Sequence, residues 1–276
     1  MFEILKKKEL TKNIFLMEIA APLVAKKVQS GQFLILRVND EGERFPLTVA
    51  DFDREAGTVT IIYHAIGKST QKLALLEVGD CVQDLVGPLG KPSHFEESVK
   101  KAAVIGGGLG CAIALPQAKH LYQKGVSVDM IAGFRTKDII ILEDQMKSVC
   151  ENLYIATDDG SFGEHGFVTD VLKRLIESGV KYDVVVAIGP LPMMKFVSKL
   201  TKEYGIKTIV SMNPIMIDGT GMCGGCRLTV GGQTKFACID GPDFDGHEVD
   251  YDGAMRRLSM YDNMQREENC KLEGMH

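Results

Sequence analysis

"KAAVIGGGLGCAIALPQAKHLYQKG", residues 101–125, passes from a continuous apolar run through four glycines in five positions into a stretch with helical spacing. It reads as a buried strand, a glycine turn and a helix. "VSVDMIAGF" (126–134) follows as a second continuous apolar strand. "NLYIATDDG" (152–160), "YDVVVAIGP" (182–190) and "KTIVSMN" (207–213) repeat the pattern, with helical stretches at 166–179 and 192–205 between them. Continuous apolar strands alternating with helices predict a parallel sheet covered on both faces.

Toward the N-terminus the pattern changes. "NIFLMEIAA" (13–21), "GQFLILRVN" (31–39), "GTVTIIYHAIG" (57–67) and "DCVQDLVGPLG" (80–90) are short segments rich in Ile, Leu, Val and Phe, broken by Gly, Asp or Pro. Short strands at close intervals predict a small closed antiparallel barrel. Only "STQKLALLEVG" (69–79) has leucines near helical spacing there. The polar "HFEESVKK" marks the boundary. The expected organisation is therefore a barrel over 1–98, a parallel-sheet α/β domain over 99–212, and a glycine- and cysteine-rich segment with a charged, helical tail over 213–276.

Composition narrows the class. The 276 residues are 45% hydrophobic and 25% charged, and the formal charge of -5 comes with no basic block, so nucleic acid is not an expected partner. No apolar run approaches the ~18 residues of a membrane span. The opening "MFEILKKKELTKNIFLMEI" carries charges inside its apolar pattern, and the expectation is a cytoplasmic chain without a secretion signal. Seven cysteines cannot all pair within one chain, which fits a reducing compartment. Cys81, Cys111 and Cys150 are isolated and read as small buried hydrophobes.

Gly106, Gly107, Gly108 and Gly110 leave a backbone that a pyrophosphate can approach at the positive end of the following helix, or they merely permit a tight turn. The third glycine of a full dinucleotide fingerprint would fall on Cys111. In "TDDGSFGEHG", Asp158 and Asp159 stand where a ribose could lie. Their charge would repel a 2'-phosphate and favour NAD(H) over NADP(H), or the pair only shapes a turn with Ser161.

Together these pieces resemble the ferredoxin reductase-type flavoproteins, an FAD-binding barrel followed by a pyridine-nucleotide domain, in module order over residues 1 to about 212. "ERFPLTVAD" is similar to the family's flavin motif. The resemblance implies that Arg44 pairs with the flavin pyrophosphate and that Pro46, Leu47 and Thr48 line the isoalloxazine ring, with Pro46 where many relatives have tyrosine. "YHAIGKST" resembles the segment around the diphosphate and adenosine, implicating Ala65, Ile66, Gly67, Ser69 and Thr70. "GPLG", with Gly87, matches the end of the barrel. "IGPLPMM" resembles the element near the nicotinamide, with Ile188 in place of the common cysteine and Gly189, Pro190 and Met193 shaping the pocket. No side chain is assigned a catalytic role of its own.

The segment "IDGTGMCGGC…KFACIDG" extends the likeness to the whole chain. It resembles the small iron–sulfur subunits that serve dihydroorotate dehydrogenase and, more closely, NADH-dependent ferredoxin:NADP oxidoreductase. The resemblance implies a [2Fe–2S] cluster on Asp218, Cys223, Cys226 and Cys238, with Asp218 where the dihydroorotate-type relatives carry a cysteine. A zinc ion on the same four residues is the alternative reading of C-x2-C. Also implied are FAD and NAD(H), passage of electrons from NADH through the flavin to the cluster, and a heterodimer with a larger flavin- and [4Fe–4S]-containing subunit. Such a complex couples NADH, ferredoxin and NADP(H) by bifurcation or its reverse. The competing readings are the electron-transfer subunit of dihydroorotate dehydrogenase and a zinc-stabilised nucleotide-binding module without catalysis.

Overall fold

A computed structural model describes residues 1–261. The first sheet is built from β1 (Phe2–Thr11), β2 (Ile14–Ala20), β3 (Phe33–Arg37), β4 (Phe45–Asp53), β5 (Thr58–His64), β6 (Cys81–Val82) and β7 (Asp84–Leu89). Its order is β6-β1-β2-β5-β4-β3-β7, and every pairing is antiparallel. Ile4, Met17, Ile19, Leu34, Leu36, Ile61 and Tyr63 fill its interior, so the sheet curls around side chains and leaves no channel. Two short helices, α1 (Pro22–Ala25) and α2 (Lys68–Ala74), complete this part.

The second sheet follows from β8 (Lys101–Gly107), β9 (Ser127–Phe134), β10 (Asn152–Thr157), β11 (Glu164–His165), β12 (Val184–Ile188) and β13 (Lys207–Ser211), which are parallel throughout. Helices α3 (Gly110–Gln123), α4 (Glu143–Lys147), α5 (Val168–Glu177) and α6 (Leu191–Glu203) provide the connections. Burial on both faces explains why β12, "VVVAI", is apolar at every position. In α5, Val168, Val171, Leu172 and Leu175 are buried at i, i+3, i+4 and i+7, the spacing of one helix face.

Beyond Asn213 the chain forms a hairpin of β14 (Arg227–Val230) and β15 (Gln233–Phe236), then α7 (Ala237–Asp240), β16 (Asp243–Asp245) and α8 (Tyr251–Leu258). β16 joins the second sheet antiparallel to β13, giving the order β11-β10-β9-β8-β12-β13-β16. That edge strand makes the sheet mixed and ties the cysteine-rich segment to it. One core also runs across all three regions, since Phe33 and Ile35 of the barrel pack in the same cluster as Val185, Met216, Cys226 and Cys238. Of the expected helical tail, α8 is described and residues 262–276 lie outside the described residues. Among the described residues, no helix is long and apolar enough to cross a membrane.

Candidate functional site

The order of the second sheet reverses between β8 and β12, and parallel sheets open a crevice at such a switch point beyond the carboxyl ends of the strands. Here the crevice faces the barrel and forms a cleft of about 1180 Å³. Pockets for a single small ligand measure roughly 300–1,000 Å³, so this cleft lies just above that range.

The glycines after β8 have distinct physical roles. A Cβ at Gly110 would sit 2.3 Å from the Ile188 carbonyl oxygen, and one at Gly106 would sit 2.6 Å from Cys111 Cα. Both positions therefore allow strand and helix to pack closely. At Gly107 a Cβ would meet Met193 Sδ at 2.5 Å, and at Gly189 it would meet Met193 Cε at 2.9 Å. Gly108 has φ +55° and nothing within 4 Å of its Cβ position, while its N–H donates to the Gly133 carbonyl at 2.8 Å. No side chain caps the start of α3, where Cys111 N and Ala112 N donate to the Gly108 and Leu109 carbonyls at 3.1 and 3.0 Å.

Pro46, Leu47 and Thr48 line the cleft from β4, while Gly107, Gly108, Gly110, Asp158, Gly189, Pro190 and Met193 line it from the second sheet. The remaining sequence candidates lie elsewhere. Arg44 is mostly exposed, with Nη2 4.0 Å from Asp84 Oδ2. Gly67 donates its N–H to Thr70 Oγ1 at 3.1 Å at the start of α2, and Ser69 Oγ donates to Glu43 Oε2 at 3.1 Å, which sets this helix start beside the Arg44 loop. Ala65 is buried and Ile66 exposed. Gly87 packs against Leu34, which a Cβ would meet at 2.5 Å. Asp159 is spent on its own turn, accepting from Ser161 N at 3.0 Å and Ser161 Oγ at 2.6 Å. Those bonds, the hydroxyl's first, hold its carboxyl below the usual carboxylate range.

Phe33, His64, Arg135, Met212, Pro214 and Pro242 also line the cleft and escaped the sequence reading. Their only local signal was proximity to strand ends. Pro242 reaches the cleft because Met212 N donates to its carbonyl at 2.9 Å beside the β13–β16 pairing.

The four proposed cluster ligands stand as two pairs. Cys226 Sγ lies 3.2 Å from Cys238 Sγ, both buried, a non-bonded separation well beyond a disulfide. Cys223 Sγ, exposed, lies 3.4 Å from Asp218 Oδ1. Asp218 also accepts from Thr220 N and Cys223 N, each at 3.0 Å. The Thr220 amide foremost keeps its carboxyl below the ordinary range, and burial followed by the Cys226 thiol raises Cys238. Among the described residues, no three His, Cys, Asp or Glu side chains converge as a single-ion site. A binuclear cluster takes two terminal ligands on each iron, so a two-plus-two donor set fits it better than one tetrahedral ion.

Barrel, switch-point cleft and paired donors define an electron-transfer subunit of a ferredoxin reductase-type oxidoreductase. The chain belongs to the family of dihydroorotate dehydrogenase B electron-transfer subunits and their homologues. Residues 213–250 match the family described as the iron-sulfur cluster binding domain of dihydroorotate dehydrogenase B. A Thermotoga maritima dihydroorotate dehydrogenase B (NAD(+)) electron transfer subunit homolog is 45% identical over 94% of this chain and 91% of its own length. A Clostridium beijerinckii protein known as "Uncharacterized protein in adh 3'region" is 52% identical over 99% of this chain and 95% of its own. A chain of the solved NADH-dependent reduced ferredoxin-NADP oxidoreductase, reported for flavin-based electron bifurcation, superposes with a TM-score of 0.90. It is 42% identical, and 97% of each chain is covered.

Proposed function

We propose that this chain is the NADH-oxidising subunit of a cytoplasmic heterodimer that exchanges electrons with ferredoxin and NADP(H) by flavin-based bifurcation or its reverse. Its partner is a larger subunit carrying flavin and [4Fe–4S] clusters. The observation that carries this reading is the full-length likeness to the ferredoxin-NADP oxidoreductase chain. Asp218 adds to it, since the dihydroorotate-type relatives resemble this loop with cysteine at that position.

FAD and a [2Fe–2S] cluster supply the conversion of a two-electron hydride into single electrons. The protein's residues bind, orient and exclude water. Pro46, Leu47 and Thr48 present the β4 wall to a flavin ring, and Arg44 supplies positive charge beside the start of α2 for its pyrophosphate. The Leu109 and Gly110 N–H groups at the uncapped start of α3 are the backbone donors for the nicotinamide nucleotide's pyrophosphate, and the bare Gly108 lets it approach. Gly189, Pro190 and Met193 shape the nicotinamide end. Asp158, lining the cleft, disfavours a 2'-phosphate. Asp218 and Cys223 would hold one iron, Cys226 and Cys238 the other.

The test is anaerobic co-purification from the native cell. It should recover a stoichiometric flavin- and [4Fe–4S]-containing partner, with NADH-dependent exchange between ferredoxin and NADP(H). Recovery of a dihydroorotate-oxidising partner would overturn the assignment.

A further inference from the structure

Two arginines far apart in sequence meet adjacent peptide groups in the cysteine loop. Arg227, the first residue of β14, donates from Nη1 to the Gly224 carbonyl at 3.0 Å. Arg257, half-buried on α8, donates from Nη2 to the Gly225 carbonyl at 3.2 Å. In a trans peptide the C=O and N–H point in opposite directions. Holding the Gly224 carbonyl on one side therefore turns the Gly225 N–H to the other, where it donates to Cys223 Sγ at 3.4 Å. Holding the Gly225 carbonyl likewise turns the Cys226 N–H away from Arg257. Gly224 itself sits at φ +68°, so without an external hold this backbone has wide conformational freedom.

We propose that Arg227 and Arg257 are positioning residues for the iron–sulfur cluster, a two-sided clamp that aims the N–H groups between Cys223 and Cys226 at the sulfur side of the loop and raises the cluster's reduction potential. The proposal rests on the cluster reading above. Hydrogen bonds to sulfur and net charge both set the potential of such clusters. The clamp supplies both together: oriented N–H donors, and two permanent guanidinium charges one peptide away from the ligands. The planar guanidinium is suited to the task because it stays charged and presents its donors in a fixed fork. α8 has a structural reason to hold Arg257 there. Its start is capped by Asp250, which accepts from Gly253 N at 2.9 Å, and Tyr251 and Ala254 are buried against the core.

The experiment compares wild type with Arg257→Met, Arg257→Lys, Arg227→Met and the double Met variant in the intact complex. Iron and acid-labile sulfide are measured first, then the cluster's midpoint potential by redox titration followed by electron paramagnetic resonance. Each Met variant is expected to keep its cluster and titrate at lower potential. The double variant should fall by at least the equivalent of tenfold in the one-electron equilibrium, about 59 mV. Arg257→Lys keeps the charge without the fork and should recover only part of the shift, with an altered resonance signal. A wild-type complex whose iron, sulfide and resonance signals are wholly accounted for by the partner's [4Fe–4S] clusters would remove the cluster reading itself. A cluster-loaded wild type whose variants all titrate at its own potential would overturn the clamp alone. If the double variant fails to fold, the single variants and Arg257→Lys decide the matter by the same titration.

Discussion

Ser93 Oγ donates to Asp243 Oδ2 at 2.5 Å, joining the segment after the barrel to the edge strand of the second sheet. Gln117 Nε2 of α3 donates to the same oxygen at 3.3 Å. Asp243 Oδ1 and Gln117 Oε1 are both sealed from solvent without a partner, although Asp243 as a residue is half-buried. Two acceptors lack a donor there, and the groups facing the carboxyl (Ser93, Ser211 and Gln117) are uncharged.

Burial raises the Asp243 carboxyl above its ordinary value of 3.8. The folded chain therefore holds this proton more tightly than the unfolded chain. The contribution is fully present below 3.8 and is lost as pH rises through the raised folded value. Its size is about 1.4 kcal/mol for each pH unit separating the two values. Asp243→Asn offers an N–H where the protonated acid had its hydrogen, and should abolish this component. Denaturant midpoints of wild type and variant across acidic to neutral pH check it, because carboxylates with lowered values cancel in the difference. Parallel profiles would refute the assignment.

Gly110→Ala should destabilise the fold, although alanine is the better helix former by about 1 kcal/mol. Its Cβ would lie 2.3 Å from the Ile188 carbonyl and 2.8 Å from Gly189 Cα, so overpacking costs about 1–3 kcal/mol. Gly108→Ala meets no neighbour and pays mainly for its left-handed backbone, about 1–2 kcal/mol. It should nevertheless weaken NADH binding, because its methyl enters the space proposed for the pyrophosphate. Thermal unfolding and NADH titration separate the two effects.

These glycines also mark how far the sequence could be read. The strand, turn and helix at 101–125 were legible because apolar run, glycines and helical spacing lie next to one another. The division of labour among the glycines was not, since it depends on Ile188 and Met193 from a later strand and helix. β16 was illegible for another reason. "DFD" (243–245) has no apolar run, and pairing with β13 makes it a strand. The family resemblance of the cysteine loop implied four candidate donors, yet their two-plus-two grouping and the reach of Arg257, 32 residues from Gly225, are tertiary facts.

Asp158 and Asp159 should separate on mutation despite being adjacent. Asp158 lines the cleft with Lys12 and Arg135, so a nucleotide bound there would meet one negative and two positive side chains. Asp158→Ala should shift preference toward NADPH by about tenfold, the worth of some 1.4 kcal/mol of like-charge repulsion. Asp159→Ala removes two turn hydrogen bonds and should lower stability slightly with preference nearly unchanged. Anaerobic flavin reduction by each nucleotide gives the ratio. Equal shifts in the two variants would count against the assignment to Asp158.

Asp218 can be tested by separating its two capacities. Its carboxylate accepts from Thr220 N and Cys223 N, a local turn that needs acceptor oxygens, and it stands beside Cys223 Sγ, where an iron ligand needs an anionic donor. Asp218→Asn keeps one acceptor oxygen, on the Thr220 side for instance, but removes the charge. Asp218→Ala removes both capacities, and Asp218→Cys restores an anionic ligand while losing the turn. If Asp218 completes the donor set, Asn and Ala should both hold less iron and acid-labile sulfide. Cys should stay loaded with a changed resonance signal, since thiolate is the softer donor. If Asp218 only shapes the turn, Asn should stay loaded like wild type and Cys should fare no better than Ala. Metal and sulfide analysis of the three variants distinguishes these orders, and a fully loaded Asn variant with an unaltered signal would exclude the carboxylate as the fourth ligand.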